Sequence, residues 1–143
     1  MESYMDLPTV PPGYSPSNDE EYMCPLHLAF FRKELQKWKQ SLIDQADETL
    51  RTLANESMQS AESTDRASFE TNKAFELRTR DRSRKLIKKI DQAIRRIDLG
   101  EYGYCEETGE PIGLGRLKAR PSATLCIEAQ EAHEKDERMT RAA

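Results

Sequence analysis

The sequence predicts a mainly α-helical protein: a long antiparallel two-helix coiled-coil hairpin, a small zinc-finger-like globular knob and a C-terminal helix. Three observations support this prediction. Neither glycine nor proline occurs between Leu26 and Leu99. Apolar residues recur there in steps of three and four, which is the period of one face of an α-helix; in the first helix the series includes Leu42, Ala46, Leu50 and Leu53. Charged residues make up 34% of the chain, which suits helices with a narrow apolar seam and solvated outer faces.

Residues 1–24 are expected to form a flexible N-terminal arm. Four of the seven prolines lie in the first sixteen residues: Pro8, Pro11, Pro12 and Pro16. That density is incompatible with a helix or a buried strand. Pro25 is well suited to the first position of a helix, where a backbone N–H would have no partner in any case.

Residues 25–99 are predicted to form the hairpin, with its tip near residues 57–66. One unbroken helix over this length would be unusual without a partner, and Asn55–Asp65 is rich in residues that cap helices or compete with them. Ser63, Thr64 or Asp65 could cap the second helix. The alternative is an intermolecular coiled coil with a stutter.

Residues 100–143 differ in composition from the hairpin. Gly100 is the usual kind of residue at which a helix stops, and residues 100–121 hold five of the six glycines. We expect a knob of turns and short strands there. A last helix, from about Cys126 to Met139, has few apolar residues and should lean on the knob.

Charge is distributed unevenly along the hairpin. Six acids and one base, Arg51, lie between Asp44 and Asp65, whereas nine bases and two acids lie between Arg78 and Arg96. The simplest interpretation is two solvated helical faces. The functional interpretation is an oriented hairpin whose acidic end seeks a cation or a basic channel, and whose basic end holds an anion.

A broken cysteine motif lies in the knob. Cys105-x2-Thr108 and Cys126-x2-Ala129 have the spacing of a four-cysteine zinc site, but the second cysteine of each pair is replaced. Two thiolates cannot close a tetrahedral site, so no metal is expected. The alternatives are a substitute ligand, Glu128 or His133, and a redox-sensitive pair formed by Cys105 and Cys126.

Composition also weighs against several functional classes. A net charge of −4 argues against a general DNA binder, which needs a basic surface to displace phosphate counterions. No run of 18 apolar residues is present, and the N-terminal residues lack the features of a signal peptide. Three scattered cysteines favour a reducing cytoplasm. His27 and His133 have no evident nucleophile or acid partner, so we do not expect an enzyme.

Several ordered segments resemble one known family. They are the run Glu76–Ile90 (ELRTRDRSRKLIKKI), Gly103–Cys105 (GYC), Arg116–Pro121 (RLKARP) and Leu125–Ile127 (LCI). Over about Glu20 to His133 the chain resembles the DksA/TraR family of bacterial RNA polymerase regulators, in a two-cysteine form with a degenerate zinc finger.

The resemblance implies that the hairpin enters the secondary channel of RNA polymerase and brings its acidic tip near the active site. Initiation would be modulated together with the alarmone ppGpp, without sequence-specific DNA binding. The family tip is Asp-x-x-Asp-x-Ala. The matching residues here are Glu62, Asp65 and Ala67, so the first acid is longer by one methylene.

The resemblance also implies a ppGpp contact at the polymerase rim. The matching residues are Arg82, Leu86, Lys89 and Arg120, while Gln130 replaces a family lysine and Phe30 a family histidine. No cofactor is expected to be required, zinc is not expected, and the chain is expected to be a monomer. Two other hypotheses remain: a nucleic-acid-binding module that uses residues 78–96, and a dimeric coiled-coil scaffold.

Overall fold

The computed structural model describes residues 7–60 and 66–142, and it describes no side chains within 56–60 and 66–69. These residues form four helices in chain order: α1 (Pro25–Ser60), α2 (Arg66–Leu99), α3 (Leu114–Ala119) and α4 (Ile127–Ala142). The chain divides into two compact units. Unit 1 comprises Met1–Leu35 and Ile90–Ala143, and unit 2 comprises Gln36–Lys89.

The first two helices form the predicted hairpin. Within unit 1, Arg32 near the start of α1 forms an ion pair with Asp98 near the end of α2, so the two helices are antiparallel. Helix α1 begins at Pro25, and α2 ends before Gly100, whose φ of 75° lies in the left-handed region. The amide of Gly100 donates to the Ile97 carbonyl over 3.1 Å and thereby closes the helix. The predicted mainly α fold is confirmed.

The core of unit 1 is built from both long helices and the knob. Phe31 and Leu35 of α1 and Ile90 and Ile97 of α2 are fully buried. The ring of Phe31 lies 5.6 Å from that of Tyr102, between centroids. Burial of each such side chain contributes about 1.5–3 kcal/mol. These contacts join the base of the hairpin to the knob.

Unit 2 has a narrower apolar seam. Leu42 and Leu53 of α1 are buried there, eleven residues apart on the same helical face. The expectation that Leu50 belongs to this seam is wrong, because its side chain is 41% exposed. Phe75 is 64% exposed. Unit 2 therefore depends on a few side chains for its packing.

The N-terminal segment makes contacts with other parts of unit 1. Residues 7–24 contain no helix or strand, as the prolines require, and side chains from Tyr14 onward contact α1 and the knob. That residues 1–24 form a flexible arm stays a prediction. Pro16 is fully buried. The hydroxyl of Tyr22 donates to the Gly103 carbonyl over 2.6 Å and accepts from the Gly113 amide over 3.0 Å. An extended chain without regular structure can still be held where its side chains satisfy buried backbone groups.

The knob contains turns and a short helix instead of the predicted strands. Backbone pairing in the knob is limited to one isolated antiparallel bridge between Tyr104 and Pro111. The chain reverses direction between these two residues at Gly109, whose φ is 74°. The short helix α3 was not predicted. It buries Leu114 and Leu117 in the knob. Helix α4 begins one residue later than predicted and buries only Ala129 among its described residues.

Candidate functional site

The predicted tip lies largely outside the described residues. Glu62 and Asp65, together with the alternative caps Ser63 and Thr64, fall in the undescribed segment between α1 and α2. Ala67 belongs to the first turn of α2, and its side chain is not described. The tip assignments therefore stay predictions.

Three of the predicted anion-contacting residues share one face of α2. Arg82, Leu86 and Lys89 are spaced by four and three residues, which places them on the same side of a helix within unit 2. Arg82 and Lys89 are exposed and Leu86 is half-buried. Among the described residues, neither cation has a hydrogen bond or an ion pair. Both charges are thus free to bind an anion from solution.

The fourth predicted contact, Arg120, follows the last residue of α3 in unit 1. Its backbone amide donates to the Arg116 carbonyl over 2.8 Å and ends that helix. Its side chain is exposed. Gln130 donates to Glu134 over 3.3 Å on the surface of α4.

Phe30 is a packing residue. Its ring makes edge-to-face contacts with Tyr14, at 6.2 Å between centroids, and with Phe31, at 5.2 Å. Phe30 therefore provides an apolar contact between the N-terminal segment and α1.

The cysteine remnant in the knob is buried and compact. Cys105 and Cys126 are both buried, and the Thr108 hydroxyl lies 3.8 Å from the Cys126 sulfur. The same hydroxyl accepts a hydrogen bond of 3.2 Å from the Glu110 amide. The Cys126 thiol lies 3.7 Å from the Glu128 carboxylate. At these positions, the polar groups of the knob therefore have hydrogen-bonding neighbours, and the two cysteine side chains are packed in the interior.

The environment of Cys105 favours its thiolate. Burial alone would raise the pKa of this thiol. Hydrogen bonds from the Thr108 side chain and from the backbone amides of Cys126, Thr108 and Glu107 outweigh burial and lower the pKa to about 6. Hydrogen bonds to an anionic form stabilise that form. A thiolate at Cys105 thus accepts hydrogen bonds of the kind that also surround the sulfur of a metal-bound cysteine.

His133 does not serve as a substitute ligand in the knob. Its Nε2 atom forms an ion pair with the Glu107 carboxylate, on the exposed surface. That hydrogen bond is the largest cause that raises the pKa of His133, and the negative charge of the same carboxylate raises it further.

The knob residues do not fit a four-cysteine zinc site. A structural zinc needs four ligands arranged as a tetrahedron. Here Ala129 offers only a methyl group, and the Thr108 hydroxyl is a weak zinc ligand that already has hydrogen-bonding neighbours, among them the Cys126 sulfur and the Glu110 amide. We therefore assign no metal to these positions.

Sequence reasoning missed a second cluster, at the start of α1. A carboxylate oxygen of Glu20, the sulfur of Cys24 and a ring nitrogen of His27 lie within 4.8 Å of one another. No acid partner for His27 was evident from the sequence, whereas the structure brings Glu20 to 3.7 Å from its Nε2 atom. The spacing Glu-x3-Cys-x2-His directly around the start of a helix was the available signal.

Comparison with known families identifies the chain's relatives. Residues 27–97 match the model for the DnaK suppressor protein DksA, N-terminal domain. Residues 100–135 match the prokaryotic dksA/traR C4-type zinc finger. A protein of Caulobacter vibrioides named RNA polymerase-binding transcription factor DksA is 56% identical over 128 residues, which cover 90% of each chain. This chain belongs to the DksA/TraR family. An Escherichia coli K12 protein of the same name is 42% identical over 117 residues, covering 82% of this chain and 78% of the relative.

A solved structure supports the same assignment. The transcription factor DksA2 from Pseudomonas aeruginosa matches with a TM-score of 0.73 and 43% identity, covering 82% of this chain and 90% of that chain. The relatives are transcription factors of the DksA/TraR family, in agreement with the prediction that this chain is not an enzyme. Among the described residues, no helix is both long and apolar enough to cross a membrane.

Proposed function

We propose that this chain binds RNA polymerase and regulates transcription initiation. The observation that carries the proposal is the 56% identity to a relative named RNA polymerase-binding transcription factor DksA, which extends over 90% of the chain. The likeness therefore includes the hairpin and the knob. A scaffold that shared only a coiled coil would match over the helices alone.

The proposed mode of action is insertion of the hairpin into the secondary channel. Exposed acids on the second half of α1, Asp44, Asp47 and Glu48, suit the approach to a basic or metal-containing site. At the tip, Asp65 and Glu62 would act by charge and by displacing polymerase elements, and not as general acids. Ala67 would supply a small side chain that permits close approach.

The proposed co-regulator is ppGpp. Arg82 and Lys89 present cations on one face of α2 that have no partner in the described part of the chain, and Arg120 presents an exposed guanidinium after α3. Guanidinium and ammonium groups bind phosphate by charge-assisted hydrogen bonds. Leu86, between the two cations, offers an apolar surface. With Gln130 in place of a lysine, we expect a weaker response to ppGpp than in relatives that have the cation.

We further propose that the chain acts in the cytoplasm as a monomer, without a required cofactor at the knob and without sequence-specific DNA contacts. A second candidate function is direct binding of nucleic acid by the bases between Arg78 and Arg96. It is favoured by the exposure of these bases, among them Arg78, Arg84 and Lys88. The net charge of −4 weighs against it, because non-specific binding rests on phosphate neutralisation.

Two substitutions at the tip test the proposal. Asp65→Asn removes one negative charge at constant size, and Ala67→Thr adds bulk. The double variant should keep its affinity for purified RNA polymerase within about threefold while losing inhibition at a promoter with a short-lived open complex. Arg82→Ala with Lys89→Ala serves as the matched comparison, since it should lose the response to ppGpp and keep the tip intact. A tip variant that no longer binds polymerase would contradict separate docking and tip roles.

A gel-shift assay with promoter DNA separates the two candidate functions. The proposed regulator should not retard naked DNA at physiological salt in the absence of polymerase. Tight binding that weakens steeply with added salt would support the nucleic-acid module instead.

A further inference from the structure

The cluster at the start of α1 combines three different metal-ligating groups. Glu20 and Cys24 precede the helix, and His27 lies in its first turn. Their nearest ligand atoms all lie within 4.8 Å of one another. His27 is fully buried, whereas Cys24 and Glu20 are partly exposed. An ion from solution therefore has a way to reach the buried imidazole.

The buried histidine points an unpartnered nitrogen toward this cluster. The Met23 amide donates to Nδ1 of His27 over 3.2 Å, so the proton of the neutral ring resides on Nε2. Nε2 is buried and has no hydrogen-bond partner among the described residues. The Glu20 carboxylate oxygen is 3.7 Å away, which is too long for a hydrogen bond. A buried polar nitrogen rarely lacks a hydrogen-bond partner in a folded protein.

The carboxylate is held in position before any ion arrives. The Tyr14 hydroxyl donates to the two carboxylate oxygens of Glu20 at 2.9 and 2.7 Å, and the Ser17 amide donates over 3.3 Å. The hydrogen bond from Tyr14 also lowers the pKa of Glu20, so its side chain is a carboxylate at neutral pH. Carboxylates that ligate metals are commonly fixed by such neighbouring donors.

We propose that Glu20, Cys24 and His27 form a zinc site that is separate from the cysteine remnant of the knob, with water as the fourth ligand. A thiolate, an imidazole and a carboxylate together suit zinc better than magnesium or calcium, which require oxygen ligands. Zinc bonds of about 2.0–2.2 Å to nitrogen and oxygen set two such tetrahedral ligand atoms about 3.3–3.6 Å apart. The 3.7 Å between Nε2 and the Glu20 oxygen is slightly above that range, so a small movement of the two side chains would complete the geometry.

Binding requires one deprotonation and one change of tautomer. The Cys24 thiol releases its proton to solvent as the Zn–S bond forms. The proton on Nε2 of His27 is lost to solvent and Nδ1 gains one, so the ring stays neutral. The Met23 amide must then give up its hydrogen bond to Nδ1, because two donors cannot face each other. One neutral hydrogen bond is exchanged for metal–ligand bonds. The Met23 amide is therefore a reporter of zinc binding.

The test uses the full chain after treatment with a chelator, and cobalt(II) as a spectroscopic substitute for zinc. The wild-type chain should bind one cobalt with a sulfur-to-metal charge-transfer absorption, and zinc should displace it stoichiometrically. Cys24→Ser should abolish the absorption, and serine is favoured at the position that precedes a helix. His27→Gln should weaken binding at least about tenfold while its amide oxygen can still accept from the Met23 amide.

The matched controls are Cys105→Ser and Cys126→Ser, made separately. Both should retain the charge-transfer absorption and the zinc stoichiometry of the wild-type chain, and circular dichroism confirms that each variant is folded. In the wild-type chain, zinc should also shift the Met23 amide resonance. The proposal is overturned if the wild-type chain shows no sulfur-to-cobalt absorption, or if Cys24→Ser keeps it. Loss of the absorption in a folded Cys105→Ser or Cys126→Ser variant would assign the metal to the knob instead.

Discussion

Removal of the Tyr22 hydroxyl should destabilise the knob although it leaves the apolar packing in place. This hydroxyl lies between two backbone groups: it donates to the Gly103 carbonyl at 2.6 Å and accepts from the Gly113 amide at 3.0 Å. Burial raises the pKa of Tyr22, so the hydroxyl keeps the proton that it donates. Tyr22→Phe leaves both backbone groups without this partner.

The expected magnitude depends on which of the two groups keeps another partner. The Gly103 carbonyl also accepts a hydrogen bond from the Ile112 amide over 2.8 Å, so only the half-buried Gly113 amide is left without a partner. A buried backbone group left without a partner costs about 1–3 kcal/mol, and water can partly replace the hydroxyl at Gly113. We therefore expect the free energy of unfolding to fall by about 1–2 kcal/mol. The edge-to-face contact with Tyr104, at 5.6 Å between ring centroids, is available to phenylalanine as well.

Urea unfolding followed by circular dichroism measures this loss, and amide hydrogen exchange localises it. Exchange of the Gly113 amide should accelerate more in Tyr22→Phe than exchange in the middle of α2. Tyr104→Phe is the matched control, because the Tyr104 hydroxyl has no hydrogen bond to a described residue. It should change stability by less than about 0.5 kcal/mol. Equal stability of the two variants would refute the argument that Tyr22 holds the N-terminal segment to the knob.

Two pH-dependent properties should also be measurable. The pKa of Cys105 is lowered to about 6 from an ordinary value of 9.0, so its contribution to stability should be complete above pH 9 and lost as the pH falls through 6. Ultraviolet titration of the thiolate in the Cys24→Ser, Cys126→Ser double variant, which keeps Cys105 alone, should show this midpoint, and a midpoint near 9 would contradict the hydrogen-bonding assignment. The pKa of His133 is raised by Glu107, so this pair should contribute at low pH and lose its contribution as the pH rises through the folded-state value. Glu107→Gln should bring the titration of His133, followed by NMR, back toward 6.5; an unchanged titration would show that Glu107 is not the cause.

The two long helices could be predicted from the sequence because their signals are local. Pro25 and Gly100 mark the ends of the hairpin, and a proline at a helix start or a glycine at a helix stop acts within one turn of the backbone. The apolar period between them required no knowledge of tertiary contacts. The same reasoning failed at Leu50, whose burial depends on what faces it across the hairpin.

The N-terminal segment and the knob could not be predicted in the same way. Proline density correctly excluded a helix before Pro25, but the contacts of Tyr22 with Gly103 and Gly113 span more than eighty residues of sequence. No local pattern specifies such a pairing. Helix α3 was missed because two glycines, Gly113 and Gly115, adjoin or interrupt it, and glycine disfavours helix in any local analysis.

The candidate sites also differ in how much of each could be predicted from the sequence. The positions on α2 were found by likeness of sequence, and the structure adds that Arg82 and Lys89 are exposed and unpaired among the described residues. The loss of the four-cysteine site was evident from Thr108 and Ala129. The cluster around His27 was missed because Glu20 and Cys24 precede the helix, and their approach to the imidazole depends on the turn that connects them.

In vitro transcription with purified RNA polymerase tests the central claim most directly. The protein should lower the transcript yield from a promoter with a short-lived open complex, and ppGpp should deepen that effect, with no requirement for sequence-specific binding of the protein to DNA. An unchanged transcript yield in the presence of the protein, with or without ppGpp, would contradict the proposed regulation of RNA polymerase.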